Sequence, residues 1–306
     1  MRDFALAALV FAALAAAPWL ADSHTLTLLA RVMVFGVAAV SLALLVGGAG
    51  LVSLGHAASL GLGAYAVVVL DAARITETAI VLPTAMAAGA GFAALTGAVA
   101  MRTSGVHFIM ITLAFGQMAF FATSALSSYG GDDGYTLYAR STFFGTRLLA
   151  DATAFHHACL AALVVTWGVC RLVLVSRFGR VLRAARETPQ RVEALGFAPY
   201  KYRLAAYTLA GGFAGLSGFL LANATEFVSP AFAAWQRSGE LLFMVILGAG
   251  FGPIGGLAGS ILGAAAFVVA EAQLSALWEH WRILFGAALV VFVLAQPAFA
   301  RRFGRG

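Results

Sequence analysis

Few side chains in this sequence have the types and spacing to do chemistry. Ser53, His56 and Ser59 form the densest set. At i, i+3 and i+6 they fall near one face of a helix, and an imidazole beside a hydroxyl is the start of a nucleophile–base pair. The pair is not completed, because no carboxylate or thiol lies nearby in sequence to activate or orient it. Two readings of His56 stay open: a structural histidine bonded to a carbonyl in a turn, or an ionisable residue lining a path inside a span. Thr112 and Gln117 occupy another apolar stretch, with His107 near one end. Thr112 can bond back to a carbonyl of its own helix. Gln117 is costly in lipid and is expected to face a bundle interior, as packing glue or as a substrate contact.

The remaining candidates are weaker. Asp132-Asp133-Gly134 follows two glycines and reads as a turn, well short of a calcium ligand set. The 127–153 loop around it and the 224–240 loop (Glu226, Trp235, Glu240) read as solvated turns or as a surface for an external partner. Cys159 and Cys170 share a helix face but stand about 16 Å apart along its axis, too far to bridge, and are expected to be packing residues. No Walker A, GxSxG, HExxH or acidic metal motif occurs in the sequence. The chain therefore does not read as an enzyme, and nothing in it supplies energy.

The elements that carry these residues are apolar. Hydrophobic residues make up 62% of the chain and charged ones 10%, with a mean hydropathy of +0.93, against roughly 25% charged in a soluble domain. Continuous apolar runs of about 20 residues read as spanning helices and exclude a barrel, whose strands would alternate. The fold class is an all-α polytopic membrane protein, a single domain over 1–306 with nine to ten transmembrane segments: 4–21, 28–46, 51–70, 79–100, 106–126, 154–175, 204–223, a short 240–251, 257–272 and 282–299. The first segment ends in a cleavage-like AAAPWLAD, but the hydrophobic segments behind it favour a retained helix over a signal peptide. The net charge of +6 points to cytoplasmic loops rather than to nucleic acid.

Two glycine-rich stretches interrupt the spans, Gly47 to Tyr65 and Gly248 to Phe267. At an offset of 202 residues they match at Gly48/Gly250, Gly50/Gly252, Leu60/Leu262, Gly61/Gly263 and Ala64/Ala266, with Tyr65 against Phe267. Glycine-interrupted segments at corresponding positions of two halves point to a transport path; close packing through small residues gives the same pattern. Ser53, His56, Ser59, Tyr65, Thr112, Gln117, Gly250 and Gly252 are the candidate path residues.

The longest polar interval, Ser176–Arg203, holds seven of the 19 basic residues. If it is cytoplasmic and each segment crosses once, Arg2, Arg102, Arg171, Arg301, Arg302 and Arg305 fall on the same side, most acids fall on the other, and both termini are cytoplasmic. Its apolar positions from Phe178 onward predict an amphipathic helix. Thr188-Pro189 should break it and start a second short helix, capped by Thr188 with Pro189 at its first position, ending with Gly196 at the C-cap. The interval either attracts anionic lipid or docks a partner.

Ser53-Leu-Gly-His-Ala-Ala-Ser-Leu-Gly-Leu-Gly-Ala-Tyr65 resembles the signature of the LivM-type permeases of branched-chain amino acid ABC transporters. Ser176–Glu187, Arg191–Gly196, Lys201 and Ala210–Gly218 are similar to that family's ATPase-coupling loop and the helix after it, and Gly248–Gly263 resembles its late glycine-rich segment. The likeness covers about residues 28–299. It implies an ABC importer permease in the bacterial inner membrane, whose partners are a LivH-like permease, two cytoplasmic ATPases that bind the ATP and a periplasmic solute-binding protein. It also implies a coupling element carried by Arg186, Glu187, Arg191, Glu193, Ala194 and Gly196, with no cofactor in this chain. Branched-chain or related amino acids are the expected solutes. Urea, amides or aromatic acids are alternatives, as is a secondary transporter or channel that lacks ATPases.

Overall fold

The computed structural model describes residues 2–20, 22–143, 145–146, 148–249 and 256–277, with 283, 286, 287 and 290 beyond them. Gly250, Gly252 and almost all of the expected 282–299 segment lie outside the described residues. The chain is helical: α1 Arg2–Leu20, α2 Ser23–Ala43, α3 His56–Ala72, α4 Thr78–Ala100, α5 Val106–Ser124, α6 Ala152–Val175, α7 Arg177–Glu187, α8 Pro189–Ala194, α9 Pro199–Thr225, α10 Trp235–Ala249 and α11 Leu257–Leu277. Among the described residues six helices are long and apolar enough to cross a membrane: α2 with its extension to Ala49, α4, α5, α6, α9 and most of α11. Stretches of α1 and α3 are apolar but shorter.

α2 and α9 form the centre. Val32–Leu45 and Ala210–Asn223 are buried on every side, which fits their all-round apolar sequences. Small residues let their neighbours close on them. A Cβ on Gly63 would strike the backbone of Gly215, and one on Gly215 would strike the backbone of Ala85 and Met86, so α3, α4 and α9 meet backbone to backbone. α4, α5 and α6 form the periphery, with Leu95, Met110, Met118, Phe121, Val165 and Leu172 exposed to the surroundings, as lipid-facing positions require. Cys159 and Cys170 are buried and unbridged.

Several boundaries differ from the expected ones, each for a local reason. The 51–70 segment becomes helical only at His56. Before it, α2 loosens into a π-helical turn, Leu44–Ala49, that ends on Gly50 at φ +68°; the glycine adopts this left-handed conformation without steric cost. The 204–223 segment starts earlier, at Pro199, whose fixed φ and missing N–H suit the first helical position. Tyr200–Arg203, expected to be loop, are therefore the first turn of α9. The short 240–251 segment is α10, which begins at Trp235 after a 3-10 turn at Pro230–Phe232.

At the end of the molecule away from α7 and α8, the connection after α5 is fastened down. β1 (Tyr135–Thr136) pairs antiparallel with β2 (Phe227–Val228). Asn223 Oδ1 accepts the Ser141 N–H at 2.7 Å, Arg140 pairs with Glu226 at 3.1 Å, and Glu77 accepts the Gly145 N–H at 2.8 Å. Tyr135 donates its hydroxyl to Asp71. Burial, then the neighbouring Asp71 carboxylate, pushes its phenol up from the ordinary value, so it remains a donor at neutral pH.

Candidate translocation and coupling sites

Two segments outside the long helices enter the bundle from opposite ends and meet. The first is Gly50–Gly55, which turns back from the end of α2. Its exit, the start of α3, sits beside Ser41 of α2, Thr112 of α5 and Tyr207 of α9. These residues lie six to eight positions from the α7-bearing ends of their helices, about 9–12 Å inside at 1.5 Å per residue. The second is 226–234, which follows α9. A Cβ on Gly61 would lie 2.7 Å from the Ala233 Cβ, and Ser238 in the first turn of α10 accepts the Ala57 N–H at 2.9 Å. The 224–240 loop, expected to be a solvated turn or a surface for an external partner, is partly buried: Val228, Pro230, Ala233 and Ser238 lie within the bundle, while Glu226, Phe227, Trp235 and Gln236 are exposed. Small residues around Pro230 make that entry sterically possible, and hydroxyls supply the hydrogen bonds that a buried chain needs.

The meeting point is a polar knot held by hydroxyls from four helices. Leu54 N–H donates to Thr112 Oγ1 at 3.3 Å, and Thr112 returns its own proton to Ile109 O at 2.9 Å. Gly55 N–H donates to Ser53 Oγ at 3.3 Å, and Ser53 bonds the Tyr207 hydroxyl at 3.1 Å. His56 Nε2 lies 2.8 Å from Ser41 Oγ, which itself donates to Ala38 O at 2.8 Å. Ser41 has one proton, so satisfying both bonds makes it the acceptor of an Nε2–H tautomer. At the start of α3 the Gly55 and Ala57 N–H groups are thus met by the neutral hydroxyls of Ser53 and Ser238, and Ala58 N–H returns to Gly55 O.

The structure brings Ser53, His56 and Thr112 together. Ser59 is buried one turn further along α3. Tyr65 is buried towards the opposite end, its hydroxyl with no hydrogen-bond partner among the described residues. Gln117 is half-buried on α5, away from the knot. Sequence reasoning missed Ser41, a lone hydroxyl in an apolar run, Tyr207, which stands beside Thr208, and Ser238, which lies in the polar stretch Gln236–Glu240. It also missed an ionic cluster between α2, α10 and α11. Arg31 pairs with Glu271 at 3.0 Å, Arg237 pairs with Glu240, and both guanidiniums stack on Phe35, 5.8 Å and 5.4 Å from its centroid. Pairing is what charges on spanning helices require, and Glu271 and Arg31 are 240 residues apart in sequence.

At the other site, α7 is clamped to the bundle. Ser176 caps it through Gly179 N–H at 3.3 Å, Leu182 and Ala185 are buried, and Arg203 donates to Ala185 O at 2.6 Å. Thr188 precedes α8 but makes no side-chain cap bond, and Pro189 takes the first helical position. The missing cap is a correction: Pro189 alone sets the start. α8 ends in a Schellman turn, with Phe197 N–H on Val192 O at 3.2 Å, Gly196 N–H on Glu193 O at 2.9 Å and Gly196 at φ +85°. Val192 is buried as the anchor, while Glu187, Arg191, Glu193, Ala194 and Gly196 are exposed. Beside them Leu195 (71%) and Phe197 (43%) expose apolar surface. Arg186 is exposed too, yet its Nη1 donates to Gly47 O at 2.8 Å.

A multi-pass helical bundle with broken segments meeting inside it, and a short amphipathic unit fastened across one end, is the build of a transport permease. Over residues 24–294 the sequence matches the family described as "Branched-chain amino acid transport system / permease component", and the chain belongs to that family. It is similar to the "High-affinity branched-chain amino acid transport system permease protein LivM" of Escherichia coli (strain K12), 27% identical over 92% of this chain and 70% of the relative. The protein of the same name from Salmonella typhimurium (strain LT2) is 26% identical over 96% of this chain and 73% of the relative. No solved structure matches the chain.

Proposed function

We propose that this chain is one permease subunit of an ATP-driven importer of branched-chain amino acids in a bacterial inner membrane. In this reading α7, α8 and both termini are cytoplasmic. A LivH-like permease completes the path, two ATPases dock on α8 and bind the ATP, and a periplasmic solute-binding protein docks on the opposite end. Family membership and the name carried by both relatives support the solute class. The observation that carries the coupling role is the α8 tip: Leu195 and Phe197 are exposed beside Arg191 and Glu193, on a helix whose other side is anchored through Val192. An exposed apolar patch rimmed by charge is the signature of a protein contact.

The mechanism follows from rigidity. α8 is too short to fold alone and moves with α7, which is joined to α6 and α9. ATP-driven closure of the ATPases would shift this unit and reorder the broken segments above it. The residues around the knot are small or apolar, so selectivity rests on the external binding protein. With its partners in proteoliposomes, the chain should take up leucine only when ATP and the loaded binding protein are present. Glu193→Arg should lower uptake roughly tenfold while leaving insertion intact, as charge reversal at a docking contact does. Leucine uptake without ATPase subunits, or transport of urea or benzoate with leucine ignored, would overturn the reading.

A further inference from the structure

The side chain of Arg186 does not reach outward to a partner. It lies back across the end of α2. Nη1 donates to Gly47 O at 2.8 Å, and the stem covers Gly50 so closely that a Cβ there would sit 2.8 Å from Cγ and 3.0 Å from Cδ. Gly47 lies in the last turn of the π-helical segment, where carbonyls lack intrahelical partners. Gly50 N–H and Leu51 N–H both return to Leu45 O. A guanidinium on such a carbonyl is a side-chain cap of favourable charge. It joins three things. Its backbone is the last turn of α7, its head holds the π-helical turn, and its stem holds the glycine where the chain turns back towards Ser53 and His56.

π-helical turns recur at functional sites, and this one ends α2 where the chain turns back at Gly50. A Cβ on Gly48 of this turn would lie 2.8 Å from Leu174 of α6 and 3.4 Å from Leu182 of α7, so the turn packs against the α7 unit at this glycine. We propose that Arg186 is a positioning residue: it carries displacement of the α7–α8 unit to the π-helical hinge and the Gly50–Gly55 segment, and is not itself an ATPase contact. This rests on the coupling reading above and assigns the route by which that coupling reaches the knot.

The test uses the whole transporter, with its partner permease, ATPases and binding protein, in proteoliposomes. Arg186→Ala and Arg186→Gln should keep the ATPases bound through purification, while leucine moved per ATP hydrolysed falls about fivefold, in the range of coupling changes along connecting residues. Arg186→Lys, which can still reach a carbonyl, should recover most of the loss. Gly50→Ala, with Arg186 intact, should uncouple in the same way because its Cβ displaces the stem. Unchanged leucine per ATP in both Arg186→Ala and Arg186→Gln overturns the proposal. Loss of the ATPases from either variant also overturns it, by making Arg186 a docking contact. If Glu193→Arg leaves assembly and uptake untouched, the coupling reading itself fails, and that result is separate from any Arg186 outcome.

Discussion

Ser41 and His56 show how much one buried hydroxyl can settle. The sequence leaves two readings of His56, a structural histidine bonded to a carbonyl or one that lines a path. The structure gives it Ser41, eight residues before the end of the π-helical extension of α2 at Ala49, and leaves the imidazole 2% exposed. Ser53, His56 and Thr112 were legible in the sequence because a polar residue inside an apolar run stands out. Their partners were not: nothing local in the sequence marks Ser41, Tyr207 or Ser238, and only the fold brings them to residues up to 181 positions away. The bond should be modest on its own, since interhelical hydrogen bonds in membranes average about 0.6 kcal/mol. Ser41→Ala should lower the stability of the purified protein by about 1–3 kcal/mol, because it leaves the buried His56 Nε2–H without an acceptor. Loss of the hydrogen bond in His56→Leu should cost less, about 0.5–1 kcal/mol, because the Ser41 hydroxyl keeps its bond to Ala38 O. Equal and negligible effects in detergent unfolding would mean that the pair contributes nothing to the knot.

At the scale of elements, the sequence located helices better than their ends. The spans at 79–100, 106–126 and 154–175 match α4, α5 and α6 within a turn, since each has continuous apolar sequence and clear polar flanks. The errors fall where backbone chemistry rather than hydropathy decides. Hydropathy runs unbroken from Gly50 into α3, and nothing in it marks the turn back from the end of α2. The 226–234 segment, mostly apolar after Glu226, buries Val228, Pro230 and Ala233 while Glu226, Phe227 and Ala231 stay exposed. Glycines divide the same way. Gly196 has open space around its Cβ position but φ +85°, so Gly196→Ala should cost about 1 kcal/mol and loosen α8 alone. Gly215 has helical geometry but no space; Gly215→Val should drive α4 from α9 and cost several kcal/mol through overpacking. Hydrogen exchange would separate them: faster exchange confined to 189–197 in the first, and spread over α3, α4 and α9 in the second. The reverse pattern would contradict both assignments.

For the whole molecule, the two ends have different characters. One carries the α7–α8 unit and most of the described basic residues. The other carries Asp71, Glu77, Asp132, Asp133, Asp151 and Glu226, with its connections tied by strand pairing and ion pairs. Lys and Arg gather on the cytoplasmic side, which supports the proposed orientation, and α6 supplies the ruler that tests it because it joins the two ends. Tyr138, 93% exposed, precedes it, and exposed Glu193 follows it. The two native cysteines are buried, so a membrane-impermeant maleimide should find little background. In intact spheroplasts Tyr138→Cys should label at once, and Glu193→Cys only after the membrane is permeabilised. Labelling in the opposite order would invert the protein, put the α8 tip outside and remove the basis for ATPase docking on it. Labelling of both from outside would mean that α6 does not cross. The expected order leaves α8 where a cytoplasmic motor can reach it.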